Sequence, residues 1–400
     1  MENFSYYNPV KLVYGGGQID HVGEEIVPYG KRILLHYGQG HIKQTGVYDR
    51  ILKSLSQAGL EWVELPGVHP NPRLELVHQG IELCRQKNID FILAVGGGSV
   101  SDSAKAIGMG VNMNYDVWTV YEDFHHRMHG GKVRDFPHIP TGMLPIGVVM
   151  TKAGTGSEFD YTSVLTNTDT HEKLMVISKA LYAKFAIHDP ELTYTLPHQE
   201  IAYGTADIMT HIMEQYFTRS TDTDILDRYK EAGLKTVVEM GQRVIQNPRD
   251  YAAQSQLLYI AAWACSDQTM CGALGGWAGH MIEHEITALT DLNHGHGMAI
   301  IYIPWMKYVV GEIPAKFAQY GERVWGIERR GRSDMDVANE AIQRTADFWS
   351  SLGITLTWKD TPVTPPILPT AARQAVRFGS LFSVKELHEN DVLNILNMAG

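Results

Sequence analysis

Asp207 and His211 stand four residues apart in TADIMTHIMEQYF, and His280 and His284 repeat that spacing in GHMIEHE. On a helix this separation puts both side chains on one face. In the first segment Ile208, Met209, Ile212, Met213, Tyr216 and Phe217 mark an apolar stripe beside Asp207 and His211. A carboxylate and an imidazole at the edge of a buried stripe are costly unless something pairs them. A simple Asp–His hydrogen bond would do so, and so would a metal ion. His294 and His296 follow in DLNHGHG, a turn-like run able to fold His294 back towards the helix. One aspartate with histidines from two regions is an N/O donor set suited to Zn²⁺, Fe²⁺ or a similar divalent ion. Spacing alone accepts either His280 or His284 as a donor.

A second feature able to do chemistry is a glycine run. FILAV (91–95) reads as a strand that enters Gly96, Gly97, Gly98 and Ser99, and SDSAKAIGM behind it reads as a helix. Glycines at such a turn let the backbone approach a pyrophosphate, and the new helix offers free N–H groups and a positive dipole end. Ser99, Ser101 and Asp102 are the capping candidates. Ser101 occupies the place of the third glycine of G-x-G-x-x-G, and a tight turn without ligand would use the same residues. Gly15, Gly16 and Gly17 have no long strand before them and read as a turn. KRILLHYG (31–38) is another strand, ending in Gly38, Gln39, Gly40 and His41. An NAD-selective site usually carries a carboxylate there for the ribose hydroxyls. This end is small, neutral and flanked by Lys43, which leaves room for a 2′-phosphate and makes NADP(H) the expected dinucleotide.

The elements that must position these residues alternate through the first half. Strand candidates at 31–38, 61–67 and 89–98 are separated by helical patterns, and further strands are expected at 145–151, 163–167 and 184–190. Alternation of this kind predicts a mostly parallel sheet with helices on both faces. After Pro190 the segments 198–218, 224–245 and 250–270 carry apolar residues at spacings of three and four, which predicts helices. The expected organisation is an α/β dinucleotide-binding domain over residues 1–190 and an all-α metal-binding domain over residues 191–400. A Pro-rich loop at 355–368 should precede a last pair of helices.

Composition narrows the classes. A chain of 400 residues exceeds what one hydrophobic core usually supports. A net charge of -11 argues against a nucleic-acid or anionic-membrane surface. The apolar runs at 91–95 and 298–306 are too short to cross a bilayer, and MENFSYYNPV lacks the pattern of a signal peptide. Cys84, Cys265 and Cys271 have no zinc or redox spacing and read as core fillers in a reducing compartment. A cytoplasmic protein is expected.

Taken together, GGGSVSDSAK (96–105), TKAGTGSE (151–158), GTADIMTHIMEQY (204–216) and GHMIEHEITALTDLNHGHG (279–297) resemble the iron-containing (group III) alcohol dehydrogenases over essentially the whole chain. Within that family the sequence is most similar to the NADPH-dependent butanol dehydrogenase and broad-range aldehyde reductase branch. The resemblance implies that Asp207, His211, His280 and His294 hold one divalent metal ion, Fe²⁺ or Zn²⁺. It implies that His284 stands beside the metal without binding it, where it becomes the candidate for relaying a proton. Gly96, Gly97, Gly98, Ser99 and Asp102 match the family's pyrophosphate loop, Thr151 and Thr155 match threonines that line its cofactor cleft, and Lys173 matches a lysine near its nicotinamide ribose. Lys152 departs from the family pattern, which has threonine there. The implied activity is hydride transfer between NADP(H) and an alcohol or aldehyde. Trp277, Met281 and Phe159 point to an apolar, aliphatic substrate. A homodimer is the expected assembly. Two rivals keep parts of this picture. One is an NAD- and zinc-dependent lyase like dehydroquinate synthase, and the other is a non-catalytic metal-binding protein.

Overall fold

A computed structural model describes residues 1–129, 132–133, 142–273 and 275–400. Short apolar runs bounded by turns form β1 (Lys11–Tyr14), β2 (Arg32–Gly38), β3 (Glu61–Val68), β4 (Phe91–Gly96), β5 (Ile146–Met150), β6 (Thr162–Asn167), β7 (Glu172–Ile177) and β8 (Phe185–His188). Six of them make one sheet in the order β1-β8-β5-β4-β2-β3, every pair parallel. The helices α1 (Val47–Gln57), α2 (Leu74–Lys87) and α3 (Gly98–Gly110) alternate with these strands. Leu34, Ile92, Ala94 and Val148 pack on one face with Val77 of α2 and Ile107 of α3. Ile33, Leu35, Leu93, Val95 and Val149 pack on the other with Ile51 and Leu55 of α1. A sheet covered on both faces needs apolar side chains at successive positions, hence runs such as FILAV instead of alternation.

The expected strand at 163–167 is present as β6, but outside that sheet. It pairs antiparallel with β7, Thr162 opposite Ile177 and Asn167 opposite Glu172. Only residues 168–171 join the two strands, far too few for the crossover that a parallel partner requires.

Past β8 the chain becomes helical: α4 (His198–Tyr216), α5 (Asp224–Gln246), α6 (Tyr251–Ala264), α7 (Ala278–Thr290) and α8 (His294–Val309) lead into α9 (Pro314–Val324) and α10 (Asp334–Ser351). The anticipated last pair is α11 (Leu368–Ala375) and α12 (Glu389–Asn397). The periodic stretch 250–270 divides after Ala264. Ser266 accepts from the Gln268 N–H and starts a separate turn, Asp267–Met270. These helices share one core that includes Ile208, Ile212, Ile282, Ile286, Met298 and Tyr302, so α4, α7 and α8 are held against one another. No helix among the described residues is long and apolar enough to cross a membrane.

One buried cation ties α3 to the loop that enters β6. Lys105 is completely buried, and its ammonium donates to Ser157 O at 2.6 Å, Asp160 Oδ1 at 2.7 Å and Thr162 O at 2.7 Å. Removing one partner of a buried ion pair leaves the other uncompensated, at a cost of about 3–5 kcal/mol. Lys105→Met should therefore lower the thermal midpoint by several degrees in calorimetry. A midpoint indistinguishable from the parent would show that this brace carries no stability.

Candidate metal centre

α4 carries Asp207 and His211 on the face it turns to α7 and α8. Asp207 Oδ1 lies 3.7 Å from His211 Nδ1 and 3.5 Å from His294 Nε2. The His280 ring is centred 4.6 Å from that of His211 and 5.5 Å from that of His294. Donor atoms of Asp207, His280 and His294 fall within 4.8 Å of one another, and His211 flanks this trio. His294 reaches the cluster because α7 ends at Asp291 in a left-handed conformation (φ 57°) and Asn293 caps α8 through the His296 N–H. His296, the remaining histidine of that run, turns away. It stacks on Tyr203 and bonds to Thr355 O at 3.0 Å.

Two carboxylates hold the backs of the imidazoles. Glu214 Oε1 accepts from the His280 backbone N–H at 3.1 Å and from His280 Nδ1 at 3.2 Å. Glu283 accepts a short hydrogen bond from His294 Nδ1 and another from the Thr287 hydroxyl. Carboxylates in this position fix ring orientation and leave Nε2 for a metal. Neither glutamate was singled out from sequence. The available signals were Glu214 seven residues beyond Asp207 on one helical face, and Glu283 between His280 and His284.

Asp207 Oδ1, His211 Nδ1 and His280 Nε2 are buried and have no hydrogen-bond partner. Buried polar atoms are normally paired, so three orphans converging on one point are an unusual expense. A divalent cation satisfies them together. Burial pushes His280 down to about 4 and lowers His211 and His294, which keeps their lone pairs free of protons at neutral pH. Burial opposes ionisation of Asp207, but His211, His294, His280 and Lys152 outweigh it and hold the carboxyl below its ordinary value. The donor set therefore fits a divalent ion. His284 stands at the margin, its ring 5.8 Å from that of His294 and its Nδ1 buried without a partner. It also makes a second close trio with Glu283 and His294. Glu283 is already engaged by His294 and Thr287, which disfavours that grouping.

The cluster opens into two adjoining spaces. An open cleft is lined by Gly38, Gly40, Gly96, Gly97, Gly98, Ser99, Thr151 and Thr155, with Asp207 and His294 at one end. Gly96 and Gly98 are sterically required here. A Cβ on Gly98 would lie 2.1 Å from Thr155 Oγ1, and one on Gly96 would lie 2.5 Å from Val100 Cγ2. Gly40 takes a left-handed φ of 104°. A deeper cavity, lined by Asp102, Lys173 and His284 together with His211, His280 and His294, lies on the other side. Asp102 and Lys173 thus sit at the histidine end, not along the open cleft. Asp102 accepts from Ser157 Oγ at 2.6 Å, and burial raises its carboxyl to about 7. Lys173 Nζ lies 3.2 Å from Asn71 Oδ1 and 3.5 Å from Glu283 Oε2.

Several other expectations sharpen. Lys152 lines the open cleft and is paired with Glu200. Lys43 does not line it. Its ammonium is paired with Glu64, 3.1 Å from Oε2. Gly16 sits in a turn whose N–H donates to the Tyr251 hydroxyl, away from the cleft. Trp277 and Met281 line the deeper cavity, whereas Phe159 packs against the sheet core and does not. Cys84 is a buried thiol that burial pushes up to about 12, in keeping with a core filler, but Cys265 lines the deeper cavity.

Residues 9–190 match the family model described as iron-containing alcohol dehydrogenase, and residues 201–400 match the C-terminal domain model of the same family. A probable NADH-dependent butanol dehydrogenase 1 of Bacillus subtilis is 39% identical over 396 residues, covering 99% of each chain. The NADPH-dependent aldehyde reductase YqhD of Escherichia coli is 35% identical over 356 residues, 88% of each chain. The crystal structure of an NADH-dependent butanol dehydrogenase A from Thermotoga maritima superposes with a TM-score of 0.91 at 35% identity, covering 100% of this chain and 99% of that one.

The geometry makes two substitutions informative. His280→Ala should abolish stoichiometric metal binding in elemental analysis yet leave dinucleotide binding by calorimetry largely intact. Glu214→Gln should weaken metal affinity by about 10–100-fold, the usual cost of losing a carboxylate behind a ligating histidine. Metal retention at parental affinity in both variants would place the ion elsewhere.

Proposed function

The chain belongs to the iron-containing alcohol dehydrogenase family, and on that footing we propose that it transfers hydride between NADP(H) and a small aliphatic alcohol/aldehyde pair. The observation that carries this reading is a shared wall. Asn71, Ser99, Thr155 and His294 line both the glycine-rich cleft and the deeper histidine cavity, so a dinucleotide in one would present its reactive end to the other. A cleft between an α/β half and a helical half is a usual place for such a site. We take residues 1–190 as the dinucleotide-binding domain and 191–400 as the metal-binding domain.

Asp207, His211, His280 and His294 are the proposed ligands of one divalent ion, Fe²⁺ or Zn²⁺, whose identity follows availability for a donor set of this kind. An ion held there would supply a Lewis acid for the substrate oxygen, and a nicotinamide in the cleft would supply or take up the hydride. The protein's own residues do the rest. Glu214 and Glu283 orient the His280 and His294 rings. Gly96, Gly97, Gly98 and Ser99 bring backbone close to the pyrophosphate at the start of α3, with Thr151 and Thr155 across the cleft. Lys173 and Asp102 stand beside the reacting end. His284, neutral and with Nδ1 open, takes up or delivers the proton of the hydroxyl group. Val164, Met175, Ile177, Trp277 and Met281 give the cavity an apolar lining suited to an alkyl chain.

NADP(H) is favoured because Gly38, Gln39, Gly40 and His41 line the far end of the cleft without a carboxylate among them to repel a 2′-phosphate. The relatives' names divide on this point, NADH for the Bacillus protein and NADPH for the Escherichia one.

Metal-loaded protein should consume NADPH steadily when butanal is added, with a higher kcat/KM than for NADH. A lyase that recycles its dinucleotide would show no net consumption, and a preference for NADH would overturn the cofactor assignment. His284→Ala should lower kcat by about 10²-fold or more while metal content stays stoichiometric. Full activity in that variant would remove His284 from proton transfer.

A further inference from the structure

The deeper cavity does not end at its apolar wall. Met175, Ile177, Trp277 and Met281 line it and at the same time line a second chamber behind them. Ala375 and Phe378 supply part of the far side of that chamber. Its polar edge is unusual. Glu285 on α7 is only 6% exposed; its Oε1 accepts from Arg377 Nη1 at 2.6 Å, yet its Oε2 is buried without a partner. Gln374 Oε1 is likewise buried and unpartnered, and so is Arg377 Nε. Glu285 and Gln374 both line the chamber. Leaving a buried acceptor or donor unmade is expensive, so the set is built for a group that brings its own hydrogen bonds. A hydroxyl answers one of the two acceptors that line the chamber, because its O–H donates to a carboxylate or an amide oxygen. A methyl terminus cannot.

We propose that this chamber is a tail subsite for alcohols and aldehydes that carry a second hydroxyl at the far end of a medium-length alkyl chain. The reactive carbon lies beside the histidine cluster, the chain passes the Trp277–Met281 wall, and the distal hydroxyl reaches Glu285 and Gln374. Met281 and Met175 suit such a passage, since methionine side chains adapt to irregular apolar occupants. The inference rests on the alcohol/aldehyde reading above and assigns that site its substrate class.

The test is oxidation of 1-butanol, 1-hexanol and 1,6-hexanediol with saturating NADP⁺. Two further buried methylenes should raise kcat/KM for 1-hexanol over 1-butanol by about tenfold. The diol should exceed 1-hexanol by about tenfold again, well beyond the twofold that its two equivalent ends supply. Ala375→Phe, which fills the chamber, should collapse the chain-length ratio towards one and the diol ratio towards two. Gln374→Leu, at a half-buried position that should tolerate the change, should reduce the diol preference and leave the chain-length ratio standing. A wild-type diol preference over 1-hexanol of no more than the statistical twofold would overturn the tail subsite while leaving the activity in place. Failure to oxidise even 1-butanol would overturn the activity reading and this inference with it.

Discussion

The arrangement depends on a cost that the helical half accepts: uncompensated acceptor atoms from α4 and α7 held at one buried point, with His294 of α8 turned towards them. Asp207 Oδ1, His211 Nδ1 and His280 Nε2 could be quieted by local hydrogen bonds, but Glu214 and Glu283 take the opposite nitrogens of His280 and His294 and prevent it. The rings are thereby prevented from turning away. Around this point the helices are packed tightly, with Ile208, Ile212, Ile282 and Met298 completely buried. A dry, rigid surround keeps the imidazoles neutral and the donor directions fixed, which is what a metal centre needs from its protein.

The α/β half meets this centre with backbone more than with side chains. Gly96 and Gly98 have no room for a Cβ because Val100 and Thr155 already occupy it, so the turn from β4 into α3 lies as close to its neighbours as a chain can. Lys105, two turns further along α3, is clamped by oxygens of Ser157 and Asp160 in the loop and of Thr162 at the start of β6. That loop in turn reaches the histidine cavity through Asp102 and Ser157. Position is thus handed from a buried cation to the start of α3 and from there to the shared wall of the two cavities.

Much of this was legible in the residues. Runs such as FILAV announced buried parallel strands, and the four-residue spacing of Asp207 with His211 announced a shared helical face. Periodicity stops at the single helix, however. It could not say that Glu214 reaches across to His280, nor that Glu283 would serve His294, because those contacts join different helices. It likewise places Lys43 beside the strand end without its partner, Glu64 on the neighbouring strand β3. β6 was recognised as a strand but not as half of a hairpin, since pairing direction depends on the length of the link to β7. Phe159 had the right chemistry for a pocket and lies elsewhere, among the residues packed against the sheet core. Residue type and spacing report faces and turns; partners across elements depend on how those elements are stacked.

The sheet order has a further consequence. The chain winds outward from β2 to β3 on one side, then returns to β4 and departs through β5 and β8 on the other. Between β2 and β4 the winding changes direction, so their following helices diverge onto opposite faces and a crevice must open above the carboxyl ends of these two strands. Gly38 closes one of them and Gly96 the other. The dinucleotide cleft is therefore a topological product, present before any side chain is chosen to line it. Substitution along its rim can retune which molecule it admits, but only a change in the path of the chain would abolish it.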